Sequence, residues 1–238
     1  MNAVIQGEGR KPPTLNLSGR IPELDGLRGI AIGMVLLYHY FFFHAPKVPG
    51  SFAAYAQVPL RLGWSGVDLF FVLSGFLIGG ILLDARGSSN YFKVFYKRRF
   101  FRIVPLYAAC LAAAFALYTL SHVGVANRFA WMYDGKLPWA SYSLFLQNFW
   151  MARFNTAGAF PMAVTWSLAI EEQFYLTLPM LVRFLSRRQL VTALLVGIFV
   201  APVFRITLYL SWPEYSGACY ILTFSGGTRC YSEFSQQC

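Results

Sequence analysis

A histidine, a few arginines and a pair of glutamates stand inside sequence that is otherwise apolar and aromatic. In 22-PELDGLRGIAIGMVLLYH-39, Arg28 and His39 are eleven residues apart, which at 3.6 residues per turn is three turns plus about 20°. Both therefore share one helix face, about 16 Å apart along the axis. An imidazole in that place is either a neutral side chain bonded to a neighbouring helix or a general base that titrates near neutrality. Arg28 either snorkels to the headgroups or adds charge to the same stripe. His44, among Phe41, Phe42 and Phe43, reads as interfacial. In 166-WSLAIEEQFYL-176, Ser167, Glu171 and Tyr175 recur at i, i+4 and i+8 and share a face, whereas Glu172 points about 100° away. Glu171 is either a structural carboxylate paired with Arg28 or Arg205, or a member of a polar site. In 98-RRFFRIVPLY-107, Arg98, Arg99 and Arg102 project guanidinium groups at i, i+3 and i+4. They serve equally as a topological anchor or as forks for the phosphates of a cytoplasmic donor. In 67-VDLFFVLSGFLIGG-80, Asp68 is a helix cap or a site residue, and Ser74, Gly75, Gly79 and Gly80 permit close helix packing.

Those residues need helices in a bilayer to position them. The chain has 238 residues, 57% hydrophobic and only 13% charged, too few charges to give it a polar surface. A span takes roughly 17 to 25 apolar residues. Five segments qualify: 27–44, 67–83, 103–120, 163–182 and 190–212. The expected fold class is therefore all-α, a polytopic transmembrane helix bundle of about five spans. A net charge of +10 suggests nucleic acid at first sight, but Lys and Arg fall in short clusters between apolar runs. The charge reads as topology, with no nucleic-acid partner. Arg86, Lys93, Lys97, Arg98, Arg99 and Arg102 follow the second span, and Arg183, Arg187 and Arg188 the fourth, which makes both connections cytoplasmic. The N-terminus, with Arg10, Lys11 and Arg20, is then cytoplasmic too, and 121–162 lies outside, its piece 142-YSLFLQNFWM-151 being re-entrant or interfacial. The first apolar stretch reads as a retained span. Four cysteines, Cys110, Cys219, Cys230 and Cys238, have no metal-ligand spacing, so no metal is expected.

Taken in order, 22-PELDGLRGIAIGMVLLYH-39, 66-GVDLFFVLSGFLI-78, 98-RRFFRIVPLY-107 and 166-WSLAIEEQFY-175 resemble the acyltransferase 3 family of integral-membrane acyltransferases. The resemblance implies transfer of an acyl group, commonly acetyl from acetyl-CoA, to a hydroxyl of a carbohydrate or related envelope component in the cytoplasmic (inner) membrane. No permanently bound cofactor is implied, acyl-CoA being the donor substrate. It implies a catalytic role for His39, functional importance for Arg28, Arg99 and Arg102, and a signature segment holding Trp166, Ser167, Glu171 and Tyr175. The chemistry matches these types: an acceptor hydroxyl needs a base, and a thioester oxyanion and CoA phosphates need cationic partners. With Arg98, the arginine cluster is the expected donor-binding side, and Asp68 and Ser74 are expected to contact substrate or support the site.

The organisation expected is a polar cytoplasmic segment 1–21, an incomplete acyltransferase 3-like transmembrane domain 22–224, and an aberrant tail 225–238. The family usually continues through further spans with an Arg-x-Asp motif, whereas this chain ends in 225-SGGTRCYSEFSQQC-238. Degenerate back-translation, read one base earlier, allows Arg, a variable residue, then Asp-Ala-(Met, Leu or Val)-Leu-Phe-Gly, so a frameshift product is expected. Two other readings stay open. A transporter or flippase of an envelope precursor also lines its path with Arg, His and Glu, and an inactive truncated remnant would show no activity until the frame is restored.

Overall fold

The computed structural model describes residues 22–42, 50, 51, 55 and 59–211, and no strand occurs among them. Helix α1 spans Pro22–Leu37; proline suits a first helical position, and Glu23 and Asp25 in the first turn favour the positive end of the helix dipole. Its last turn widens into a π-helical segment, Tyr38–Phe42. A 3-10 turn, Arg61–Trp64, leads into α2, Ser65–Asp84. Helix α3, Tyr91–His122, has 32 residues, about 48 Å of rise. Two short helices follow, α4 (Trp139–Ser143) and α5 (Gln147–Phe154), then α6, Trp166–Phe184, and α7, Arg187–Ser211. The tail 225–238 and His44 lie outside the described residues.

Three stretches are long and apolar enough to cross a bilayer, Leu62–Asp84, Tyr91–His122 and Arg187–Phe204. The chain is thus an all-α, multi-pass membrane protein. Helix α1 is short at 16 residues, and the 19 residues of α6 carry Glu171, Glu172 and Arg183, which is why neither stands out by length and hydropathy.

One expectation needs correcting. The basic residues 93–102 were expected in the connection between spans, yet they sit on the first turns of α3, and only residues 85–90 connect it to α2. The physical reason is aromatic packing. Tyr91 and Phe95 are buried with Ile78 and Leu82 of α2 and Tyr175, Leu178 and Val182 of α6, so helix propagates backward through the charged stretch. Pro179 removes an N–H from α6, and two α3 phenols donate to carbonyls beside it, Tyr91 to Pro179 and Tyr96 to Leu176, each at 3.1 Å. At this end the connections are laced together: Arg86 donates to the Leu185 carbonyl, and Arg183 to the Arg86 carbonyl. The opposite end has its own core of Tyr107, Ala114, Tyr142, Met151 and Met162.

Helices α1 and α2 meet over glycine, though not at the glycines the sequence pointed to. A Cβ on Gly66 would lie 2.5 Å from the Ala31 carbonyl oxygen, and one on Gly63 would lie 2.6 Å from that of Met34. Gly79 meets nothing, and Gly75 makes only ordinary contact with Phe174. Backbone cannot yield as a side-chain tip can, so Gly66→Ala is expected to push α1 off α2 and cost about 1–3 kcal/mol. Gly79→Ala is the matched control. Resistance to SDS-induced unfolding of the purified chain should fall in the first variant and not in the second.

Candidate active site

The polar residues of α3 and α6 converge where the two helices cross. The guanidinium carbon of Arg99 lies 4.7 Å from the centroid of the Tyr175 ring and 5.8 Å from that of Phe95. Tyr175 is 2% exposed. Its hydroxyl donates to Oε1 of Glu171, one turn earlier on α6, and is also hydrogen-bonded to Ser74 of α2, itself buried. The charge on Arg99 is in electrostatic contact with Tyr175, Arg102, Glu171 and Arg28. Residues from α1, α2, α3 and α6 thus share one electrostatic neighbourhood, and the i, i+4 spacing of Glu171 and Tyr175 is what lets one phenol orient one carboxylate.

Glu171 also faces a cleft of about 270 Å³ between α1, α2 and α6. Ala31 and Val35 line it from α1, Gly66 and Phe70 from α2, and Ser167 and Glu171 from α6. Arg28 lies one turn before Ala31, and His39 one turn after Val35. The stretch of α1 that lines the cleft therefore lies between these two residues. Ser167 also donates to the Val164 carbonyl at 3.2 Å, just before the first turn of α6.

The histidine is held by its own helix. Nδ1 of His39 lies 2.9 Å from the Val35 carbonyl oxygen; a carbonyl only accepts, so this bond places the proton on Nδ1 and leaves the lone pair on Nε2. His39 sits in the π-helical turn, whose i→i+5 pattern rotates it off the strict α register that puts it in line with Arg28. Arg28 makes a loose ion pair with Asp25, Nη1 to Oδ1 at 3.8 Å, worth little where exposed. Its Nε is buried with no hydrogen-bond partner among the described residues, and so is one oxygen of Glu172. Glu172 interacts with the charges of Glu171 and Arg99.

Other expected site residues fall at the margin. Arg98 and Arg102 are exposed, Arg102 on the side of Arg99. Asp68 occupies the first turn of α2, where a carboxylate favours the helix N-terminus. Trp166 starts α6 and packs against the core at the opposite end from the arginines. The expected pairing of Glu171 with Arg205 rests on a side chain outside the described ones.

Sequence reasoning missed a polar layer beside the site. Gln147 and Asn148 are buried at 0% and 2% exposure. Gln173 donates to Oδ1 of Asn148 and to the Phe145 carbonyl, both at 2.9 Å, and Gln147 donates to the Thr165 carbonyl at 3.0 Å. The piece 142–151 is therefore a pair of short helices docked on α6 by amides. The signal available was the dipeptide Gln147-Asn148 within an aromatic run.

Three guanidinium groups, a carboxylate fixed by a phenol, and an imidazole one turn beyond the cleft are groups that could bind an anionic donor at one end and accept a proton from a hydroxyl at the other. The orphaned Nε of Arg28 fits an anionic oxygen that the described residues do not supply. Among the described residues no cluster of His, Cys, Asp and Glu could hold a metal ion.

Residues 21–232 match a family model described as an acyltransferase domain, the acyltransferase 3 family. The chain is 31% identical over 182 residues to "O-acetyltransferase OatA" of Staphylococcus aureus, covering 71% of this chain and 26% of that protein. It is 29% identical over 214 residues to "Peptidoglycan O-acetyltransferase OatA" of Listeria monocytogenes, covering 84% of this chain and 31% of the other. It is 36% identical over 174 residues to "Putative peptidoglycan O-acetyltransferase YrhL" of Bacillus subtilis, covering 67% and 23%. The chain thus spans about a quarter to a third of the length of these relatives. No solved structure matches.

Proposed function

Because the chain belongs to the acyltransferase 3 family, we propose that it moves an acyl group, acetyl from acetyl-CoA, to a hydroxyl of a cell-envelope glycan, with peptidoglycan as the acceptor. The observation that carries this reading is the joining of Arg99, Tyr175 and Glu171 at a cleft bracketed by Arg28 and His39. The names of the relatives supply the acceptor class. We place the chain in the cytoplasmic membrane with the arginine end inside, as its Lys and Arg distribution supports.

In this reading Arg99, Arg102 and Arg28 hold the phosphates of the donor at the cytoplasmic end, and its thioester arm extends along the cleft toward His39. Nε2 of His39 takes the proton from the acceptor hydroxyl as its oxygen attacks. The C–S bond then breaks, and the thiolate leaves with the proton that His39 returns. Arg28 and His39 are separated by about 16 Å of helix rise, so donor and acceptor enter from opposite ends. Glu171, aligned by Tyr175, keeps Arg99 in place and balances its charge.

Membranes from cells expressing the full chain, given acetyl-CoA labelled in the acetyl group and peptidoglycan, are expected to yield base-labile label on the glycan. Label that remains soluble in every condition would overturn the proposal, since a transporter makes no covalent product.

A further inference from the structure

At the end of the bundle opposite the arginines, the 121–162 connection closes a second cavity, of about 220 Å³. Tyr118, Tyr133 and Trp139 form one aromatic wall: the Tyr118 ring lies 5.3 Å from each of the other two, which are 6.2 Å apart. The wall is fixed, since the Tyr133 hydroxyl donates to the Ala114 carbonyl at 2.9 Å. Tyr142 closes the floor, with its oxygen accepting from the Ala159 N–H at 2.8 Å. Burial pushes this phenol up to about 12, so it keeps a proton to donate. On the rim, the Asp134 carboxylate accepts from the Lys136 N–H at 3.1 Å and from the Thr156 hydroxyl, which fixes it without using all its lone pairs. Tyr118 is nineteen residues from Arg99 on α3, about 28 Å of rise, so this cavity is separate from the cleft.

We propose that this pocket seats one pyranose ring of a glycan. A sugar presents a face of C–H groups and an edge of hydroxyls. The aromatic wall matches the first, and the Asp134 carboxylate with the Tyr142 phenol matches the second, one accepting and one donating. The volume falls below the roughly 300 Å³ at which pockets for larger ligands begin, which limits the occupant to a single ring of a longer chain. An aromatic wall beside a carboxylate also suits a quaternary ammonium. Charge decides against it: the connection carries Arg128, Lys136 and Arg153 against Asp134 alone, a field that repels cations and tolerates neutral or acidic sugars.

The choice of glycan rests on the transferase reading above, and the test is made without donor, so the two fail separately. Calorimetric titration of the full chain in nanodiscs with the N-acetylglucosamine tetramer is expected to saturate. Trp139→Ala and Asp134→Asn should each weaken it tenfold or more; the second alters an exposed side chain and spares the fold. No saturable heat, or binding untouched by Asp134→Asn, overturns the proposal, and tetramethylammonium bound instead of the oligosaccharide makes the pocket a cation box. No saturable binding by the unsubstituted chain, with its acyl transfer intact, sinks the pocket alone. Binding with no acyl transfer sinks the transferase reading alone.

Discussion

Replacing His39 by alanine is expected to lower acyl transfer to peptidoglycan by about 10²–10⁴-fold, the usual contribution of a positioned general base. Thermal unfolding should move little, since the imidazole's bond to the Val35 carbonyl at 2.9 Å lies within its own helix. His39→Asn separates two roles. Its amide can still donate to Val35 but offers no basic nitrogen, so the loss should equal that of alanine. Activity retained in the asparagine variant would show that His39 acts only by orientation, and the base must then be sought elsewhere along the cleft.

Arg99→Lys is expected to raise the KM for acetyl-CoA tenfold or more and to lower kcat as well. Lysine keeps the charge yet cannot stack its head flat on Tyr175, 4.7 Å away, nor present a fork to phosphate. A desolvated cation–π contact is worth about 2 kcal/mol, roughly thirtyfold. Tyr175 would also lose the planar guanidinium that holds its ring while it donates to Glu171, hence the effect on kcat. Cys110→Ala, at an exposed position of α3, is the control and should leave both constants alone. A donor KM unchanged in Arg99→Lys would remove Arg99 from the donor site.

Much of the helical frame was legible because charge in an apolar run is costly and so marks position. Glu171 and Tyr175 at i, i+4 were visible as a shared face, and the structure makes them hydrogen-bonded partners. The boundaries of α3 were not legible. The apolar pattern starts at Ile103, but the helix starts at Tyr91, because aromatic residues buried among the basic ones decide it, and a hydropathy window averages them away. The π turn at Tyr38–Phe42 has no proline or glycine to announce it. The helix contact at Gly63 and Gly66 was hidden for a different reason: which small residue faces a neighbour depends on tertiary placement, and the more conspicuous Gly79 faces nothing. Glu172 stood unexplained in the sequence, and its buried, unpartnered oxygen still has no physical account within the described residues.

The glycine contact between α1 and α2 also sets an order of assembly. Ala31 and Gly66 are close in the chain, so this pair can form as soon as both helices leave the ribosome. Glu171 is made 105 residues after Gly66, which at 5–20 residues per second is about 5–20 s later. A nascent chain therefore holds His39 and Arg28 in place for seconds before it holds the Glu171 carboxylate. Over that interval Ser74 waits for Tyr175, and the two-helix intermediate must be sheltered by the insertion machinery until α6 arrives to seal it.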